Sequence, residues 1–145
     1  MSEFKEYSLV NDLGFVKTGV KNFENTKKYY STGSIKGKKF IEEGKYNFKN
    51  RPSRANREVK KDDVLQARMM NTNKVLLVDK KLDGSLFSTG FFQFRPPKEL
   101  ILPKYLYYFL SSKKFLEKKD SLSDGATQKA INDTNLKQIK ILLPN

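Results

Sequence analysis

Arginine can grip a planar pair of acceptors through two parallel hydrogen bonds, either O6 and N7 of guanine or two oxygens of a phosphate. Three of the five arginines in this 145-residue sequence stand in Arg51-Pro52-Ser53-Arg54-Ala55-Asn56-Arg57, and a fourth follows at Arg68. Arg51, Arg54, Asn56, Arg57 and Arg68 are therefore the candidates for reaching base edges in a major groove. Lysine supplies a mobile point charge instead. Lys36, Lys38, Lys39, Lys45, Lys49, Lys60 and Lys61 surround the arginines and are the candidates for phosphates. Between residues 36 and 61, ten basic side chains oppose only Glu42, Glu43 and Glu58, so seven of the thirteen net positive charges fall in that stretch. The competing reading is a solvated loop in which Arg54 and Arg57 pair with Glu42, Glu43 or Glu58. Exposed ion pairs stabilise by about 1 kcal/mol at most, and three carboxylates cannot absorb ten cations. An anionic partner is the better account.

Other chemistry is excluded by composition or by spacing. With no Cys and no His, there are no disulfides, no thiolate nucleophile, no Cys-based zinc site and no imidazole base. Gly33-Ser34-Ile35-Lys36-Gly37-Lys38-Lys39 has three residues between its glycines where a phosphate loop has four, and Lys where Ser or Thr would hold magnesium. Arg95-Pro96-Pro97-Lys98 has the wrong flanking residues for an amino-methyltransferase motif. There is also no Gly-x-Gly to approach S-adenosylmethionine. Asp62-Asp63 with Glu43-Gly44-Lys45 lacks the upstream acid of a metal-dependent nuclease, and adjacent residues of a strand point to opposite faces. The chain reads as non-catalytic, with neither metal nor cofactor of its own.

The elements that would position these residues form one domain over 1–145, long enough to bury roughly two-thirds of its unfolded surface. Tyr7–Val10 and Leu13–Gly19 read as short strands punctuated by the Asn11-Asp12 turn pair, with a polar surface loop from Lys21 to Lys28. Asp62-Asp63 makes a turn into the strand Val64–Arg68, and Met69–Lys74 is a polar loop. Val75–Val78 and the aromatic run Leu86–Phe94 read as strands of a hairpin or meander, the second stopped by Pro96-Pro97. Tyr30-Ser31-Thr32-Gly33 and Phe87-Ser88-Thr89-Gly90 share a pattern, but small residues are common at strand ends and do not establish a duplication. Pro103-Lys104 opens a helix to about Lys119, whose apolar face is Tyr105, Leu106, Tyr108, Phe109, Leu110, Phe115 and Leu116. Those aromatics are expected to pack rather than to stack on bases. Asp124–Asn132 is a Gly-containing loop, and Leu136–Pro144 alternates toward a buried strand. No run approaches the roughly 18 apolar residues of a membrane span, and the N-terminus lacks the apolar core of a signal peptide. A soluble cytoplasmic protein is expected.

Four ordered blocks resemble the target recognition domain of a type I restriction-modification DNA specificity subunit. They are Leu13-Gly14-Phe15-Val16 with Lys17-Thr18-Gly19, Asp62-Asp63-Val64-Leu65 with Ala67-Arg68, the Ser-Thr-Gly pair, and Gly125-Ala126-Thr127-Gln128 followed by Ile131-Asn132. The helix opening Leu102-Pro103-Lys104-Tyr105-Leu106 fits the same family. The resemblance implies an α+β fold: a strongly curved, mainly antiparallel β-sheet with a C-terminal helix and long basic loops. It implies sequence-specific reading of one half of a bipartite double-stranded DNA target. The partners would be a modification (methyltransferase) subunit, which would carry S-adenosylmethionine, and a restriction subunit. It also implies a spacer helix after Pro144, whereas the sequence ends at Asn145. Gln128 and Lys129 are lesser candidates for base contact, because a motif common to readers of different sequences is poorly placed to specify one. By its charge and its Tyr and Phe content alone, the chain could equally be an RNA-binding or ribosome-associated module, or a binder of an acidic protein.

Overall fold

The computed structural model describes residues 3–125 and 127–145. Ala126 of the Gly-Ala-Thr-Gln block lies outside the described residues. In chain order the elements are β1 (Phe4–Ser8), α1 (Leu9–Asp12), β2 (Phe15–Val16), β3 (Lys27–Tyr30), a 3-10 turn (Thr32–Ser34), β4 (Ile35–Lys36), β5 (Lys39–Phe40), β6 (Gly44–Tyr46) and β7 (Ala55–Glu58). There follow β8 (Val64–Ala67), β9 (Val75–Leu77), β10 (Leu86–Ser88), β11 (Phe91–Phe94), α2 (Pro103–Leu110), α3 (Lys113–Ser121), α4 (Asp133–Leu136) and β12 (Lys140–Pro144). None of the described helices is long and apolar enough to cross a membrane.

The fold is α+β and mainly antiparallel. The β-structure is divided: one four-stranded sheet has the order β6-β3-β10-β7, a second has β2-β11-β8-β9, and β1 with β12 and β4 with β5 form ribbons. The expected aromatic strand Leu86–Phe94 is cut at Thr89-Gly90, so that β10 joins the first sheet and β11 the second. Hence β9 and β10 do not pair as a hairpin; β9 pairs with β8. Val10 lies in the single turn of α1, not in a strand, because the Ser8 side chain accepts from the Asn11 N–H and starts the turn at Leu9, two residues before Asn11.

The second sheet is the centre of the molecule. Phe92 and Phe94 of β11 and Val64 of β8 face a core completed by Leu106, Leu110, Phe115, Leu136 and Ile141 from the helices and β12. Phe91, Leu65 and Ala67 face the opposite way, against Phe87 and Tyr30 of the first sheet. Strands covered on both sides need apolar residues at nearly every position, as in Phe91-Phe92-Gln93-Phe94. The exception, Gln93, is wholly buried and donates to the Glu58 carbonyl at 3.0 Å and to Asp63 Oδ2 at 2.8 Å.

The expected helix Pro103 to Lys119 is two helices. Ser112 Oγ accepts from the Phe115 N–H at 3.2 Å and caps a new helix, α3, so the chain turns at Ser111-Ser112. Within α2 itself only the side carrying Leu106 and Leu110 meets the core. Leu106, Leu110 and Phe115 are buried as expected, but Tyr105 and Tyr108 are 48% and 59% exposed. Of the run expected to be a strand after Leu136, only Lys140–Pro144 is one; it alternates exposed and buried residues and pairs antiparallel with β1.

Candidate nucleic-acid interface

The arginine cluster divides by the alternation of β7, in which Ala55 and Arg57 are buried while Asn56 and Glu58 lie partly open. Arg57 is 1% exposed. It donates to the Val16 carbonyl at 3.0 Å and to Thr18 Oγ1 at 3.1 Å. Burial, with Arg68 nearby, lowers its pKa to about 10. A side chain so enclosed cannot touch a base edge, and the expectation for Arg57 is corrected on that ground. Arg51 is turned inward on its own loop, donating to the carbonyls of Ala55 and Phe48 and to Asn56 Oδ1 while lying 4.3 Å from the Phe48 ring centroid. The same bond ties Asn56 to Arg51. Arg68 donates to the carbonyls of Thr89 and Ile131 and pairs with Asp133 Oδ1 at 2.6 Å. Arg95 Nε and a second nitrogen bind Asp63 at 2.8 and 2.9 Å, and that hydrogen bonding raises its pKa.

Arg54 differs from all of these. It is exposed, and among the described residues its guanidinium has no hydrogen-bond or ion-pair partner. It lines a cleft of about 510 Å³, which is within the range of small-ligand sites. The two Ser-Thr-Gly segments build one side of this cleft. β3 and β10 run parallel with Tyr30 opposite Phe87, their rings stacked 5.1 Å apart, so that both strands deliver Thr-Gly to the same rim. The shared pattern is thus a shared place on adjacent strands. Lys74, which the sequence reading passed over as part of a polar loop, also lines the cleft; its Nζ donates to the Thr32 carbonyl at 2.7 Å.

The signature loop also borders the cleft, through Gln128 and Ala130. Asp124 and Ala130 exchange backbone hydrogen bonds of 3.1 and 3.0 Å, closing the loop at its base. Gly125 adopts φ +135°, where a Cβ would meet the Gln128 carbonyl oxygen at 2.7 Å; only glycine fits. The Met70 N–H donates to the Lys129 carbonyl and the Ile131 N–H to the Arg68 carbonyl, at 2.9 and 3.0 Å, so the loop docks on the connection between β8 and β9. Gln128 is exposed and lines the same cleft as Arg54, whereas Lys129 is exposed but does not line it. The candidate lysines are all exposed and spread over three places: Lys36, Lys38 and Lys39 on the β4–β5 hairpin, Lys45 and Lys49 on β6 and the following turn, and Lys60 and Lys61 before β8.

Gly90 makes room for the arginine. A Cβ there would lie 3.0 Å from an Arg54 terminal nitrogen and 3.1 Å from Thr32 Cγ2. Gly90→Ala is therefore expected to move the Arg54 side chain at a cost of about 1 kcal/mol, because the flexible arginine can swing away while the Thr32 methyl, on a stiff β-branched side chain, must give by a few tenths of an ångström. A crystal structure of the variant with Arg54 unmoved would contradict this.

A basic α+β domain that presents one unengaged guanidinium in an open cleft is a recognition module. Residues 8–145 match the family described as the type I restriction modification DNA specificity domain, and the chain belongs to that family. It is 30% identical over 123 residues to the type I restriction enzyme HindI specificity subunit of Haemophilus influenzae, covering 81% of this chain and 26% of that subunit. In fold it is similar to the HsdS subunit from Thermoanaerobacter tengcongensis, with a TM-score of 0.77 at 22% identity over 98% of this chain and 38% of that one. A chain of a type I R-M system studied for complex assembly and conformational transition gives a TM-score of 0.82 at 21% identity, over 99% and 38%. The chain thus spans between a quarter and two-fifths of the length of these relatives.

Proposed function

We propose that this domain reads one half of a bipartite double-stranded DNA target for a type I restriction-modification complex and performs no chemistry itself. The observation that carries the reading is Arg54: among the described residues, four of the five arginines are hydrogen-bonded within the protein, and the fifth lines the cleft with its fork free. Arg54 takes O6 and N7 of a guanine bidentately, and the Gln128 amide reaches a neighbouring base edge from the signature loop. The hairpin and turn lysines hold phosphates and set the register. Arg68 forms part of the cleft wall, while Arg51 and Asn56 brace the turn that carries Arg54. The partners are a modification subunit, which carries S-adenosylmethionine and methylates the site, and a restriction subunit; the place of action is the cytoplasm. The HindI relative is itself a specificity subunit, which supports this assignment.

With about six phosphates neutralised, log K for duplex binding falls against log salt with a slope of roughly −5. Fluorescence anisotropy on a labelled duplex between low and moderate salt measures it, with unlabelled single-stranded RNA as competitor. A flat slope, or RNA displacing the duplex at equal concentration, would contradict the proposal.

A further inference from the structure

One wall of the cleft is the 66–74 connection, which contributes Arg68, Met69, Thr72 and Lys74. It includes Asn71 at φ 61°, a conformation that costs energy unless its surroundings impose it. The surroundings that impose it belong to α3. Lys119 is wholly buried, and its Nζ donates to the carbonyls of Ala67 at 3.0 Å, Met69 at 3.0 Å and Thr72 at 2.5 Å. An ammonium has three N–H donors, and all three are used on one loop. The next residue, Asp120, accepts from the Asn71 N–H through Oδ1 at 3.0 Å. Two adjacent side chains of α3 thus take three carbonyls and the left-handed amide of the same segment.

That segment in turn carries the signature loop, through the Met69–Ala130 bridge and the bond from the Met70 N–H to the Lys129 carbonyl. We propose that Lys119 is a positioning residue for base reading: it fixes the 67–72 wall, and through it the signature loop, so that Arg54 and Gln128 face one ligand. The proposal rests on the cleft being the DNA-reading site. Lysines 113, 114 and 118 of the same helix are exposed, so the burial of Lys119 is not a general property of that surface. Burial lowers its pKa to about 8, because desolvation disfavours the ammonium.

Lys119→Met preserves most of the volume but removes every donor, leaving three carbonyls without partners. The test compares wild type, Lys119→Met, Arg54→Ala and the double variant, each with the modification subunit present. Two quantities are read: amide hydrogen exchange, and selectivity for the target duplex over an unrelated one. Lys119→Met is expected to speed exchange at Met70, Asn71 and Lys74 at least tenfold relative to β8 and β11, and to reduce selectivity about tenfold. In that background Arg54→Ala costs little more, because the two act through one site. Asp120→Ala, at a half-buried position, gives the same pattern at smaller amplitude and serves should Lys119→Met fold poorly. Exchange that rises uniformly over loop and core, or selectivity losses that multiply in the double variant, would reduce Lys119 to a stability residue. Faster loop exchange together with an Arg54→Ala variant of unchanged selectivity would instead refute the cleft as the reading site, and the positioning role with it.

Discussion

Asp63→Ala is expected to lower the unfolding free energy by about 3 kcal/mol and Tm by roughly 10 °C. The Asp63 carboxylate is wholly buried, and its two oxygens accept from Arg95 Nε, a second Arg95 nitrogen, Gln93 Nε2 and the Lys60 N–H at 2.8 to 2.9 Å. It therefore joins the turn before β8 to β11 in the central sheet. Removing it leaves Gln93, whose Oε1 already lacks a partner, with one hydrogen bond fewer in a place water does not reach. Breaking a buried ion pair costs about 3 to 5 kcal/mol, and the lower figure applies because the Arg95 side chain is 42% exposed and can rehydrate. Asp62→Asn is the control, since Asn tolerates the left-handed backbone of this position, φ 76°. The Asp62 ion pair with Lys98, 3.0 Å long, lies at the surface, so its loss should stay within about 1 kcal/mol. Thermal unfolding followed by circular dichroism separates the two; equal effects would contradict the assignment.

The second large effect is on recognition. Arg54→Ala should cost on the order of 1 to 3 kcal/mol against the target duplex, about fivefold to 150-fold, and relax the preference at one base position. Binding to unrelated duplexes should change much less. Arg54→Lys keeps the charge but loses the fork, so it should retain the salt slope and lose the selectivity. Arg57→Ala should do the reverse, lowering stability and leaving the chosen sequence as it was, since Arg57 supports Val16 and Thr18 from inside the protein. Competition binding with the modification subunit present measures all three. A loss for Arg54→Ala that is equal on every sequence would make Arg54 a phosphate contact.

The α+β class, most of the strands and the family were legible because strand periodicity, turn residues and ordered motifs are local properties of a chain. The division among the arginines was not. Charge density marks residues 51–57 as one patch, but the pleat of β7 sends Arg57 inward while the preceding turn leaves Arg54 outside. The period of two was available in Ala55-Asn56-Arg57-Glu58, but Arg57 is not a residue type expected in a core. The Ser-Thr-Gly segments were noticed as a repeat and then discounted, since only the parallel pairing of β3 with β10 gives them a common rim. Lys74 and Lys119 carried no signal, because a lysine in a polar loop or among helix lysines is ordinarily solvated. Gln128 is only a lesser candidate by its motif, since a shared motif says nothing of which surface it borders; it lines the same cleft as Arg54.

The claim that the cleft reads DNA through Arg54 is tested most directly by selecting targets from a randomised duplex library, with the modification subunit present, using wild type and Arg54→Ala in parallel. The account predicts a wild-type half-site with a fixed guanine, and an Arg54→Ala half-site identical except that this position has become degenerate. An unchanged half-site in the variant would contradict it.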